Sequence, residues 1–87
     1  MITEFSAKTG IPVEDILGRR RTARIAEARE MYYYVLLLNG FPVAEIARLT
    51  ERSHCAVISG IKRIKSLLDS NDMAAARLLY LVKDIKR

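Results

Sequence analysis

The stretch Val43 to Lys65, VAEIARLTERSHCAVISGIKRIK, constrains the fold most, because its helical apolar pattern breaks in the middle and resumes within a few residues. Val43, Ile46, Ala47 and Leu49 share one face of a short helix, with Glu45 and Arg48 on the other. Thr50, Glu51, Arg52 and Ser53 interrupt the pattern. Ser53 is a natural N-cap, since its hydroxyl can accept a free amide from the first turn of the next helix. In that helix Val57, Ile61, Ile64 and Leu68 recur at spacings of four, three and four, a buried stripe with Ile58 beside it. Cys55, Ser59, Lys62 and Arg63 face away. The pattern predicts two helices joined by a tight turn. The outward face of the second is small at its N-terminal end and basic further on, a surface able to enter a major groove. Small side chains let the backbone approach base edges, and cations meet phosphates. A plain helical hairpin with a solvated basic face fits this segment equally well, so the rest of the chain has to decide.

The placement of charge separates the two readings. The chain has 15 Lys and Arg against 10 Asp and Glu, a net charge of +5, but the excess is local. Gly18 to Arg24 holds Arg19, Arg20, Arg21 and Arg24, Arg52 to Lys65 holds Arg52, Lys62, Arg63 and Lys65, and neither stretch contains an acid. The remainder carries seven bases and all ten acids, so it is net acidic. Two acid-free patches on an otherwise acidic chain are the electrostatic footprint of a protein that grips a polyanion at two places.

Taken in order, Ile2 to Thr9 predicts a first short helix with Ile2, Phe5 and Ser6 inward, stopped by Gly10. Pro12 opens a single turn over Val13 to Leu17, with Val13, Ile16 and Leu17 apolar and Glu14 and Asp15 at its positive end; Gly18 ends it. The basic run follows, and Thr22 reads as the N-cap of the next helix, leaving Arg19 to Arg21 on a short non-helical loop. Such arginines suit a narrow minor groove, or the phosphates beside one. Ala23 to Leu38 is helical up to Asn39-Gly40. Ile25, Ala28, Tyr32, Val35 and Leu36 mark one face, and Met31, Tyr33, Tyr34, Leu37 and Leu38 make the second half apolar nearly all round, as in a central bundle helix. The successive tyrosines point in different directions, which favours packing over a stacking platform for single strands. After a polar break at Asp69 to Asp72, with Ser70 or Asn71 as cap, Met73 to Ile85 reads as a last helix. Its Ala74, Ala75, Leu78, Leu81, Val82 and Ile85 lie back on the bundle, and the Lys83, Lys86 and Arg87 tail suits its negative end. The expectation is an all-α fold, a compact bundle of five to six helices containing a helix-turn-helix, with residues 1–87 forming one domain of a size that supports one core.

Other functions find little support. One cysteine, Cys55, leaves no internal disulfide, and one histidine without clustered acids offers no metal site, so no cofactor is expected. Ser53, His54 and Cys55 are neighbours at a helix start, point different ways and have no orienting acid, so catalysis is not expected. The acidic Met-Ile-Thr-Glu start and the short apolar run Met31 to Leu38 indicate neither secretion nor membrane insertion, and the chain reads as cytoplasmic, at the nucleoid.

With these residues laid out, the chain resembles the C-terminal DNA-binding domain of the bacterial replication initiator DnaA from about Ile2 to Ile64. The resemblance is carried by VEDILGRRR at Val13 to Arg21, TARIAEAREM at Thr22 to Met31, AEIARL at Ala44 to Leu49 and RSHCAVISGIKRI at Arg52 to Ile64. It implies a second helix that reads the major groove and arginines of the preceding loop in the adjacent minor groove. Arg21, with Arg20, matches the minor-groove arginines of the family, and Arg52 and His54 match the Arg and His of its RDHTTV signature. Where the family has Asp, Thr and Thr around that His, this chain has Ser53, Cys55 and Ala56, and the loop before it is shorter and lacks the usual glycine pair. Two hydroxyls and a carboxylate able to bond base edges or phosphates are gone. The scaffold is kept and the reading head altered, so the resemblance does not carry over the initiator's own origin sequence. No phosphate-binding glycine loop is present, which points to a stand-alone regulator of replication or transcription, or a protein of a phage or mobile element.

The expected partner is double-stranded DNA. Arg19, Arg20, Arg21 and Arg24 would lie on phosphate and minor groove, Arg52, Ser53, His54, Cys55 and Ala56 at the major groove, and Ser59, Lys62 and Arg63 along it. The rival expectation is a protein-interaction module that kept the fold, forming a homodimer or binding a protein through an apolar surface at Tyr33, Tyr34, Leu37 and Leu38.

Overall fold

A computed structural model of the chain describes residues 1–86; Arg87 of the basic tail lies outside the described residues. Six helices follow one another: α1 (Ile2–Thr9), α2 (Val13–Leu17), α3 (Ala23–Leu38), α4 (Val43–Thr50), α5 (His54–Asp69) and α6 (Met73–Val82). No strand occurs among the described residues. The bounds of the first three are those the apolar pattern predicts.

α3 is the axis of the bundle and packs against all five other helices. This is why its second half is apolar around most of its circumference. Tyr32 and Tyr33 are buried, and the Phe5 ring meets Tyr32 at 5.1 Å between centroids with the planes tilted by 60°. The tyrosines are therefore core groups rather than a stacking platform. The core draws Phe5, Ile16, Met31, Leu36, Ile46, Val57, Ile64 and Val82 from the six helices into one cluster.

Four packing expectations need correction. Leu49 is exposed and Thr50 takes the buried position, because Thr50 lies one turn beyond Ile46, and its hydroxyl donates to the Ile46 carbonyl at 2.7 Å. Ile58 is exposed, since the seam of α5 that meets α3 runs through Val57, Gly60, Ile61 and Ile64. Ala74, expected to lie back on the bundle, is exposed, while Ala75 is buried. α6 stops at Val82, short of Ile85, and Leu81 is half exposed; Ile85 is buried beyond the helix end, its carbonyl accepting from Asn39 Nδ2 at 3.2 Å.

Two caps also differ. Asp72, rather than Ser70 or Asn71, caps α6, with Oδ1 accepting from the Ala75 amide at 2.9 Å. Ser70 instead ends α5, and Asn71 adopts a left-handed φ of 60° in the connection. Thr22 occupies the N-cap position of α3 but makes no side-chain cap bond.

Candidate nucleic-acid interface

α4 and α5 form the expected helix-turn-helix. The turn is three residues, Glu51, Arg52 and Ser53, and it reverses the chain through Glu51 in the left-handed region at φ 54°. A side chain there costs on the order of 1 kcal/mol, a position glycine fills without that cost. The Arg52 amide closes the turn by donating to the Ala47 carbonyl at 3.0 Å. Ser53 caps α5 as predicted, its Oγ accepting from the Ala56 amide at 3.1 Å. From that start His54, Cys55, Ala56, Ser59, Lys62 and Arg63 are all exposed along α5. Arg63 is not wholly open: its Nε lies 3.6 Å from Glu30 Oε1 on α3. Burial raises the Glu30 pKa, the Arg63 charge opposes that rise, and Glu27 adds to it.

The basic loop is held against this helix start by two guanidinium groups. α2 is only five residues long, so all its last carbonyls lack intrahelical partners. Arg29 of α3 donates from Nε to the Ile16 carbonyl at 2.8 Å and from Nη2 to the carbonyls of Asp15 at 2.9 Å and Arg20 at 3.0 Å. Arg52 donates from Nη2 to the carbonyls of Leu17, at 3.4 Å, and Gly18. Gly18 itself is extended rather than left-handed, and it is needed for close approach, because a Cβ there would strike the Glu14 carbonyl. Burial is the main cause that lowers the Arg29 pKa, followed by the Arg52 charge, with Tyr33 opposing and Arg21 adding to the fall.

The outcome is a cleft of about 290 Å³ lined by Arg19, Arg21 and Arg29 together with Glu51, Arg52, Ser53 and Ala56 of the turn and the α5 start, four cations and one acid. Two patches far apart in sequence become one basic surface. Arg20 stands beside it with Nε 3.8 Å from Asp15 Oδ1. Arg24 does not join the cleft: it lines a separate groove with Glu27, Arg77 and Leu78, between the start of α3 and α6. Arg29 is the residue that sequence reasoning missed. Its signal was weak, a lone cation one position after buried Ala28, in a helix whose other side is charged anyway.

The apolar surface expected at Tyr33, Tyr34, Leu37 and Leu38 is reduced to Leu38, which is exposed: Tyr33 is 3% exposed beneath α5, and Tyr34 and Leu37 are partly buried against the core. The two most exposed large apolar side chains, Met73 and Tyr80, are on α6, with Leu81 beside them. Among the described residues no cluster of three His, Cys, Asp or Glu could hold a metal, and no helix is long and apolar enough to cross a membrane.

An all-helical bundle whose exposed, capped α5 follows a tight turn from α4 is a helix-turn-helix domain. The chain belongs to the bacterial DnaA protein helix-turn-helix family, which matches residues 2–64. It is 27% identical over 84 residues to the chromosomal replication initiator protein DnaA of Kosmotoga olearia, covering 94% of this chain and 19% of that protein. To the protein of the same name from Mycoplasma pneumoniae it is 22% identical over 73 residues, 83% of this chain and 17% of that one. The chain thus spans less than a fifth of the length of these curated relatives. No solved structure matches it.

Proposed function

We propose that the chain binds double-stranded DNA, with the start of α5 at the major groove and the Arg19 to Arg21 loop at the adjacent minor groove, in the control of replication or transcription at the nucleoid. The observation that carries this reading is the meeting of the basic loop with the start of α5: Arg19 and Arg21 open onto the same cleft as Arg52, Ser53 and Ala56, with Glu51 the one acid beside them. Family membership supports it, as does the name chromosomal replication initiator borne by both relatives. Arg52 and Arg20 serve partly as struts, since each is already engaged with α2. Sequence would be read by His54, Cys55, Ala56 and Ser59, small or polar groups on the exposed face, and affinity supplied by Arg19, Arg21, Lys62 and Arg63. Ser53 Oγ accepts the cap bond and keeps its O–H to donate, but with Cys55 and Ala56 beside it the reading head has few donors to base edges, so shape and methyl contacts gain weight.

The test is fluorescence-anisotropy binding to a random-sequence duplex pool at two salt concentrations, with sequencing of the bound fraction. Salt-sensitive binding and an enriched motif are expected. No binding at low salt would overturn the reading.

A further inference from the structure

We propose that Arg29 is a positioning residue which, together with Arg52, locks the basic loop to the helix-turn-helix so that both contact a duplex as one rigid unit; this rests on the DNA reading above. The two guanidinium groups reach five backbone carbonyls, those of Asp15, Ile16, Leu17, Gly18 and Arg20. These are the C-terminal end of α2 and the first part of the loop. α2 is too short to hold itself, and no side chain of its own caps that end. What fixes Arg19 and Arg21 in space is therefore donated from outside: Arg29 from the body of α3, and Arg52 from the turn that sets the angle of α5.

The geometry links two sites that a duplex would meet in different grooves. Arg52 is half-buried, its amide bonded to α4 and its guanidinium to α2. A change in the α4–α5 turn is thereby passed to the loop. Affinity from two linked contacts depends on their being held at the right separation, since each freed torsion must be ordered again on binding. Arginine suits the task because its planar fork bonds several carbonyls at once, while lysine carries the same charge on one flexible point donor.

Arg29→Lys tests this in the whole chain, with Arg52→Lys as the second variant should the first not fold. In the free protein, backbone 15N relaxation at Arg19, Arg20 and Arg21 should show order parameters falling below about 0.6 in the variant and not in the parent chain. Duplex affinity should fall about tenfold with the salt dependence unchanged, because the charge count is the same. The decisive readout is Arg21→Ala in both backgrounds: it should cost about tenfold in the parent and under about threefold in Arg29→Lys, because a loop already loose has little left to lose. A merely stabilising role for Arg29 would leave that cost equal. Unchanged relaxation, or equal cost of Arg21→Ala in the two backgrounds, overturns the proposal. A parent chain that binds no duplex would overturn the DNA reading and the binding role of the staple together, and the relaxation data would still decide whether Arg29 orders the loop.

Discussion

Gly60 of α5 lies so close to the Tyr33 ring of α3 that a Cβ on it would stand 2.9 Å from Tyr33 Cδ2, with Glu30 Cγ at 3.1 Å. Tyr33 is buried in the seam between the two helices, so its ring or the α5 backbone must shift to admit a Cβ. Gly60→Ala should therefore destabilise the fold even though alanine is the better helix former. Overpacking costs about 1–3 kcal/mol, and the helix-propensity gain returns up to about 1 kcal/mol. A lower urea midpoint at unchanged m-value is expected. An unchanged or higher midpoint would mean that α5 can shift on α3 without loss, and that the reading helix is less firmly seated than its packing indicates.

The caps give a discriminating set. Ser53→Ala and Asp72→Ala each remove an accepted amide bond and should cost about 1 kcal/mol. Thr22→Ala removes none and should stay within about 0.5 kcal/mol. Thermal melts of the three variants followed by circular dichroism would check the order. A Thr22→Ala loss as large as that of Ser53→Ala would contradict it.

Periodicity in the sequence carried the helices, the central place of α3 and the helix-turn-helix, because those depend on which residues must leave water. It misjudged positions where several residues could do the same job. Ser70, Asn71 and Asp72 are all capping types, and only the left-handed Asn71 backbone moves the cap on to Asp72. The basic loop was legible as charge but its attachment was not, since the acceptors for Arg29 and Arg52 are main-chain carbonyls, which every residue has. Arg24 illustrates the converse: it is three residues from Arg21 in sequence, yet the onset of α3 turns it toward Arg77 and away from the cleft.

Glu30 should make stability depend on pH in a direction opposite to most carboxylates. Burial raises its folded pKa, so the stability contributed by its protonated form is present below the unfolded value of about 4.3 and is lost as pH rises through the raised folded value. Glu30→Gln keeps the shape without the charge. The variant should be more stable than the parent at neutral pH, with the gap closing below about pH 4.3. Denaturation midpoints across that range would show it, and a less stable variant at neutral pH would mean that the Arg63 ion pair outweighs burial.

Arg21→Ala should weaken binding to A·T-rich duplexes more than to others, because a narrow minor groove concentrates negative potential where the loop would enter. Arg21 lines the cleft beside the α5 start, the position from which an adjacent groove is reached. Anisotropy titrations on duplexes of matched length would measure the difference. Equal loss on all sequences would make Arg21 a phosphate contact only.

Lys62 and Arg63 are adjacent on α5 and both exposed, yet they should behave differently in salt. Each phosphate neutralised by a free cation contributes about 0.9 to the slope of log affinity against log salt. Lys62 makes no ion pair among the described residues, so Lys62→Ala should reduce the slope by about that amount and leave stability unchanged. Arg63 already faces Glu30 at 3.6 Å and enters binding partly neutralised, so Arg63→Ala should reduce the slope less. It should also lower stability by up to about 1 kcal/mol at neutral pH, because Glu30 loses the charge that offsets its burial. Adding Glu30→Gln should restore that stability without restoring the slope. Equal slope changes for the two variants would show that DNA opens the Arg63–Glu30 pair, and would make the phosphate the stronger partner for Arg63.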